Sequence, residues 1–203
     1  DYSMVLPGQG EYYNPVFLIE GERVRKEGYC TDIITETTLD WLKNERDPDK
    51  PFCVLYHQKA PHRNWLPAPE YLTLYDDVTF EPPANFFDNY EGRGTAAKEQ
   101  EMEIHGHARW GHDFKMIVDP YGDSTGFYNQ LKRFTPPQLE NWLAAYTPKN
   151  EEFKANYHNM SEEEIALWKY NRYIKDYLRT IKSVDDGVGE LLDYLEEAGL
   201  AEN

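Results

Sequence analysis

Pro51-Phe52-Cys53-Val54-Leu55-Tyr56-His57-Gln58-Lys59-Ala60-Pro61-His62-Arg63-Asn64-Trp65 is the stretch from which the rest of the chain is read. Phe52 to Tyr56 is a short apolar run between Pro51 and polar residues, the pattern of a strand buried on both faces of a parallel sheet. It discharges into a loop carrying His57, Lys59, His62 and Arg63. In open α/β sheets ligands sit in the crevice beyond the carboxyl ends of the strands. A cationic, imidazole-bearing loop at that place suits an anionic substrate. Pro61 fixes its own φ and biases Ala60 towards extended geometry, so His62 is presented from a stiff loop.

Immediately upstream, a helix is expected to start at a Thr31 or Asp32 cap and to end around Lys43–Arg46, before the turn Asp47-Pro48-Asp49-Lys50-Pro51. Ile33, Ile34, Thr37, Thr38, Trp41 and Leu42 recur at helical spacing and mark its inward face. A helix followed by a buried strand is half of an α/β repeat. Further back, Leu6-Pro7-Gly8-Gln9-Gly10 is turn chemistry, and Val16–Glu20 with Gly21–Val24 reads as a small hairpin.

Downstream, residues 61–100 form a long, Pro-rich, irregular and aromatic excursion, of the kind that is functional or wraps a surface. Glu101–Phe114 is expected to be helical, and Thr135-Pro136-Pro137 opens another helix with proline in its first turn. His105, His107, His112 and Asp113 make an H-x-H-x4-HD cluster. Residues two apart on a helix point to different faces, so an ordinary polar surface is favoured over a metal. Ser161 and Glu164 form a capping box. From there Ile165, Trp168, Ile174, Tyr177, Leu178, Ile181, Val184, Val188, Leu191, Leu192 and Leu195 trace one long helix that Gly199 closes. Asp185 and Asp186 within it splay apart and read as solvated charges.

The resulting division is 1–28 loop and hairpin, 29–66 helix, strand and active-site loop, 67–160 insertion, and 161–199 long helix, all within one α/β domain. The 203 residues suffice for a real core. A charge of −16 argues against nucleic acid or an anionic membrane as the main partner, which sets the cations of the 57–63 loop apart. Mean hydropathy is −0.81, and no apolar stretch reaches the roughly 18 residues of a membrane span. Cys30 and Cys53 lack CxxC spacing and are expected to be two buried free thiols or, less favoured, one bridge. The 16 tyrosines and 5 tryptophans suit sugar stacking or a core. Both ends read as cut, which suggests an internal fragment.

Lys50-Pro51-Phe52 with His57-Gln58-Lys59-Ala60-Pro61-His62-Arg63-Asn64-Trp65-Leu66-Pro67 resembles the middle of the type I sulfatases, in the alkaline-phosphatase-like superfamily. More narrowly, it resembles the bacterial N-acetylglucosamine-6-sulfatase or mucin- and heparan-desulfating branch. Leu6–Pro15, Tyr75-Asp76-Asp77, Phe87–Arg93, Trp168–Tyr177 and Ser183–Asp193 carry the same resemblance, in order, over most of the chain. It implies a mostly parallel sheet flanked by helices, with a long irregular insertion and a long C-terminal helix. It also implies a periplasmic or extracellular sulfuric ester hydrolase acting on a sulfated glycan. A formylglycine nucleophile and a calcium ion are implied for the full-length enzyme.

Neither C-x-P-x-R nor S-x-P-x-R occurs in this chain, and the family's metal motifs are absent, so the fragment alone is expected to be inactive. The position that matches is His62, with the inferred role of general acid at the leaving sugar oxygen. Lys59 is expected to contact the sulfate and His57 to orient the loop or contact substrate. The alternatives are a phosphodiesterase or phosphonate hydrolase of the same superfamily, and a noncatalytic carbohydrate-binding module.

Overall fold

A computed structural model describes residues 2–116 and 129–202, so residues 117–128 of the expected insertion lie outside the described residues. The chain divides into two compact units, Asp1–Tyr71 with Leu178–Asn203, and Leu72–Tyr177.

The first unit opens with a three-stranded antiparallel sheet of β1 (Met4–Val5), β2 (Val16–Ile19) and β3 (Glu22–Arg25). The β2–β3 hairpin turns where it was expected, because Glu20 and Gly21 both take positive φ, 50° and 88°, the turn that matches strand twist. Strand β1, too short to show a period, was not anticipated. Helix α1 (Cys30–Asp40) follows. Its N-cap is Tyr29, whose side chain makes no capping bond, and not Thr31 or Asp32. Asp32 sits instead in the first turn, where a carboxylate favours the positive helix end. A wider π-helical turn, Trp41–Glu45, then carries the helix to its expected end at Arg46. Phe17, Cys30, Ile33 and Ile34 form the core of this unit, with Met4, Leu6, Ile19 and Tyr56 packed on it.

The run from Phe52 to Tyr56 departs from expectation. It joins no ladder, with Leu55 79% and Phe52 38% exposed. Cys53 is a free, exposed thiol, whereas Cys30 is free and buried. A strand is completed by its neighbours' hydrogen bonds, and the strands among the described residues pair only with one another. The parallel sheet that this run was expected to join is therefore not formed by the described residues. Tyr56 is anchored by its hydroxyl, 2.6 Å from Thr35 Oγ1, and Phe52 packs edge-on against Trp41 at 6.2 Å. A Cβ on Gly187 would lie 2.4 Å from that threonine oxygen and 2.7 Å from the tyrosine hydroxyl. Glycine there is a packing requirement.

The second unit holds α2 (Thr95–Lys98), α3 (Pro136–Asn156) and the first part of α4 (Glu162–Glu197). Thr135 accepts its helix as expected, its N–H donating to Gln138 Oε1 at 2.9 Å. Glu101–Phe114 is a series of turns and not the expected helix. Gly106 interrupts that run, and Arg109 N–H is taken by the Asp113 side chain at 2.7 Å in place of an i−4 carbonyl. Phe114, Met116 and Phe153 form the core, packed by Trp110, Tyr157 and Trp168.

Helix α4 runs unbroken from Glu162 to Glu197. The capping box forms, with Ser161 N–H donating to Glu164 Oε2 at 2.7 Å and Glu164 N–H to Ser161 Oγ at 3.2 Å. Gly199 takes φ +66°, and Leu200 N–H returns to Leu195 O at 2.8 Å. The buried stripe, however, is largely polar: Arg172, Asp176, Arg179 and Ser183, before Leu191. Val188 and Leu192, expected inside, are 39% and 56% exposed. A hydropathy pattern assigns charge to the surface, and here the buried charges are compensated by partners remote in sequence.

Candidate functional site

The site is the loop after Tyr56, in the first unit. Backbone closure comes from His62 N–H donating to Lys59 O at 2.9 Å, around a cis Ala60–Pro61 bond. Three tyrosines then hold the chain beyond it. Tyr12 donates to His62 O at 2.6 Å, Tyr29 to Leu66 O at 2.8 Å, and Tyr13 to Pro67 O at 2.6 Å. All three rings are at most 3% exposed, and burial raises each phenol, so they remain donors through the working range. Tyr29 packs edge-on against Tyr13 at 5.4 Å and stacks with Tyr12 at 6.0 Å.

His62 is exposed, and its Nδ1 is in close contact with the Arg63 carbonyl. A carbonyl only accepts, so Nδ1 is the donor in this contact and Nε2 is not committed to it. Lys59 Nζ donates to Gln9 O at 2.8 Å and lies 4.8 Å over the Tyr12 ring. Burial lowers the Lys59 ammonium, partly opposed by Cys30 and Glu11 nearby. A half-desolvated ammonium gives an arriving anion a stronger contact than a fully hydrated one. The structure thus brings Lys59 and His62 to one tyrosine, Tyr12. His57 is exposed and makes no hydrogen bond among the described residues.

The tyrosines are what the sequence reading missed. Their only signal was three tyrosines at 12, 13 and 29, flanking the Gly8–Gly10 turn and the start of α1. Neither cysteine has the surroundings of a nucleophile. Burial pushes the Cys30 thiol up to about 12.

A concavity of the same unit, about 640 Å³, is lined by Asp32, Glu36, Glu70 and Asp186 among others. Its carboxylates would repel a sulfate. Tyr71 hydroxyl and Lys182 both bind Asp186, holding its carboxyl below the usual range, so this aspartate is paired within the protein. Lys182 also reaches Asp185, at 3.5 Å. In contrast, burial and then the charges of Glu70, Glu36, Glu190 and Asp186 push Asp32 up to about 6.

Between the ordinary aspartate value near 4 and about 6 the folded protein holds a proton that the unfolded chain has released. Stability therefore falls as pH rises through that window. Asp32→Asn is expected to melt higher than the parent at pH 7.5, with the difference closing below about pH 4. Thermal melts at both pH values check it, and an unchanged gap would remove the assignment.

In the second unit His105 and His107 lie 3.6 and 3.7 Å from one Glu103 oxygen, and His112 pairs with Asp113 at 3.1 Å. No group of three or more His, Cys, Asp or Glu side chains is placed to hold a metal among the described residues. Nor is any described helix long and apolar enough to cross a membrane.

The family model for sulfatases matches residues 3–203, and the chain belongs to the sulfatase family. It is 41% identical over 209 aligned residues to an N-acetylglucosamine-6-O-sulfatase of Bacteroides thetaiotaomicron, covering 100% of this chain and 37% of that protein. N-acetylglucosamine-6-sulfatases of Capra hircus and Homo sapiens are each 31% identical over 91 residues, 42% of this chain and 16% of those proteins. A solved structure described as in complex with its substrate D-glucosamine-2-N,6-O-disulfate superposes with a TM-score of 0.91 at 40% identity. That match covers 99% of this chain and 41% of the solved one. The chain thus spans about two fifths of the length of the Bacteroides relative and of the solved structure.

Proposed function

We propose that the intact protein carrying this chain removes an O-sulfate from a glycan, with 6-sulfated N-acetylglucosamine as substrate. The observation that carries this reading is His62, held by its backbone to Tyr12 with Nε2 left to exchange a proton. It lies in a chain similar over its whole length to an N-acetylglucosamine-6-O-sulfatase. In this reading His62 is the general acid. Cleaving the sulfate ester leaves an alkoxide on the sugar, and protonation of that oxygen as the bond breaks contributes about 10²–10⁴ in rate. Lys59 contacts the sulfate, and His57 orients the loop or contacts substrate. The setting is periplasmic or extracellular, as for the family.

The residues present do not fit the formylglycine and calcium that the family uses. Cys30 is buried and followed by Thr31-Asp32, Cys53 is followed by Val54-Leu55, and no suitable carboxylate cluster exists among the described residues. Both would be supplied elsewhere in the protein. The Gln58 amide supports an incomplete site, since both its polar atoms are buried without a partner in the structure, an arrangement that costs about 1–3 kcal/mol.

The test is sulfate release from 6-sulfated N-acetylglucosamine by the intact protein, beside turnover of a phosphodiester and an alkyl phosphonate ester. Sulfate release alone is expected, and the present chain by itself should give none even with calcium. Phosphodiester or phosphonate turnover without sulfate release would favour hydrolysis of those esters. Glycan binding without turnover of any ester would favour a carbohydrate-binding module.

A further inference from the structure

One side chain touches both cationic residues of the site without itself being placed to reach a substrate. Tyr12 is 2% exposed, and its hydroxyl donates to the carbonyl of His62 at 2.6 Å. The Thr180 side chain hydrogen-bonds the same phenol and opposes the rise that burial causes. Thr180 is itself fully buried on α4. The ring of Tyr12 seats the Lys59 ammonium, 4.8 Å from its centroid. That ammonium is fixed on its other side by the carbonyl of Gln9, in a turn closed by Gly10 N–H to Pro7 O at 3.2 Å. Gly10 takes φ +61°, and a Cβ there would lie 2.9 Å from Leu6 Cδ1.

We propose that Tyr12 is a positioning residue of the hydrolysis. Through its hydroxyl it sets where the His62 imidazole stands, and through its ring it sets where the Lys59 ammonium stands. This deepens the reading of His62 as general acid and rests on it. The other two tyrosines hold carbonyls four and five residues further on, so their effect on the imidazole is diluted by the intervening chain. Tyr12 acts on the histidine's own peptide unit. Displacing a catalytic group by about 1 Å costs up to 10² in rate, and a lost tether to an exposed loop residue allows displacements of that order.

The two contacts are separable. Tyr12→Phe keeps the ring and removes the hydroxyl, whereas Tyr12→Leu removes both. In the intact protein Tyr12→Phe is expected to lower kcat on 6-sulfated N-acetylglucosamine about 5–50-fold with KM within about twofold. On an aryl sulfate, whose leaving group needs little protonation, the loss should fall below about threefold. Tyr12→Leu should raise KM as well, about 5–20-fold, as Lys59 loses its seat. In a His62→Ala background Tyr12→Phe should change nothing further, because a positioning residue acts only through the group it positions.

Equal losses on both substrates, or the same fold-loss in the His62→Ala background, would overturn the positioning role. So would normal kcat in Tyr12→Phe when His62→Ala is impaired. If the unsubstituted protein releases no sulfate, or His62→Ala loses nothing on the sugar sulfate, the underlying function is what fails. Should Tyr12→Phe not fold, Thr180→Val removes the other bond to the phenol and should give a smaller loss with the same substrate dependence.

Discussion

His62→Ala in the intact protein is expected to lower kcat on 6-sulfated N-acetylglucosamine by about 10²–10⁴, with KM changed far less. The residue stands on an exposed, proline-closed loop, and its side chain packs into neither core cluster. Its removal should leave the melting temperature within about 1 °C of the parent, since exposed substitutions shift stability by under about 0.5 kcal/mol. In the proposed role of general acid, what is lost is proton delivery. The Nδ1 hydrogen is committed to the Arg63 carbonyl, so the ring acts through Nε2, and alanine has nothing to offer there. His62→Gln provides a neutral donor that cannot pass on a proton, and it should rescue little. Steady-state kinetics with product sulfate as readout measure all three enzymes.

Lys115→Met is expected to carry the largest stability cost, about 3–5 kcal/mol, because it strands a buried charge. Lys115 and Asp176 are both 0% exposed and 2.7 Å apart. Tyr146 donates to the other oxygen of Asp176 at 2.6 Å, and Arg172 Nε lies 4.0 Å from the first. Asn150 joins the group, giving its amide to Lys115 O at 2.9 Å and accepting from Arg172 at 2.6 Å. Burial lowers the Lys115 ammonium, and Asp176 is the main influence that opposes the loss of its proton. With methionine at 115 the carboxylate keeps Tyr146 and the Arg172 guanidinium 4.0 Å away but loses its nearer counter-ion and that hydrogen bond. The Lys115→Met, Asp176→Leu double variant removes both charges and should recover at least half of the loss. Denaturant unfolding of the three variants measures it, and a single-variant cost below about 1 kcal/mol would mean that the pair is not buried as a unit.

How far the sequence could be read depended on whether a feature was local. The β2–β3 hairpin, the end of α1 at Arg46, the start of α3 after Thr135 and both ends of α4 were legible, because each is set by a few adjacent residues with fixed backbone chemistry. The run Phe52–Tyr56 was misread for the opposite reason. Its apolar composition states what would bury it, but burial requires neighbouring strands that the described residues do not provide. The second failure lay in α4, where Arg172, Asp176 and Arg179 take core positions that periodicity assigned to neighbouring apolar residues. Only contacts with residues remote in sequence, such as Lys115 to Asp176 across 61 positions, make such burial affordable.

The site was legible in its cations and illegible in its support. His62 and Lys59 were singled out from one loop, and the structure brings them together on Tyr12. His57 stands apart, exposed and without a hydrogen bond among the described residues. That Tyr12, some 50 positions upstream, joins the first two could not be inferred from spacing.

If His62 delivers a proton to the leaving sugar oxygen, the effect of removing it depends on the leaving group. The kcat/KM ratio of parent to His62→Ala should be measured on 6-sulfated N-acetylglucosamine and on a series of aryl sulfates of falling phenol pKa. A ratio of about 10²–10⁴ is expected on the sugar, shrinking to within about tenfold on the most acidic phenol. A ratio that stays constant across the series would contradict it.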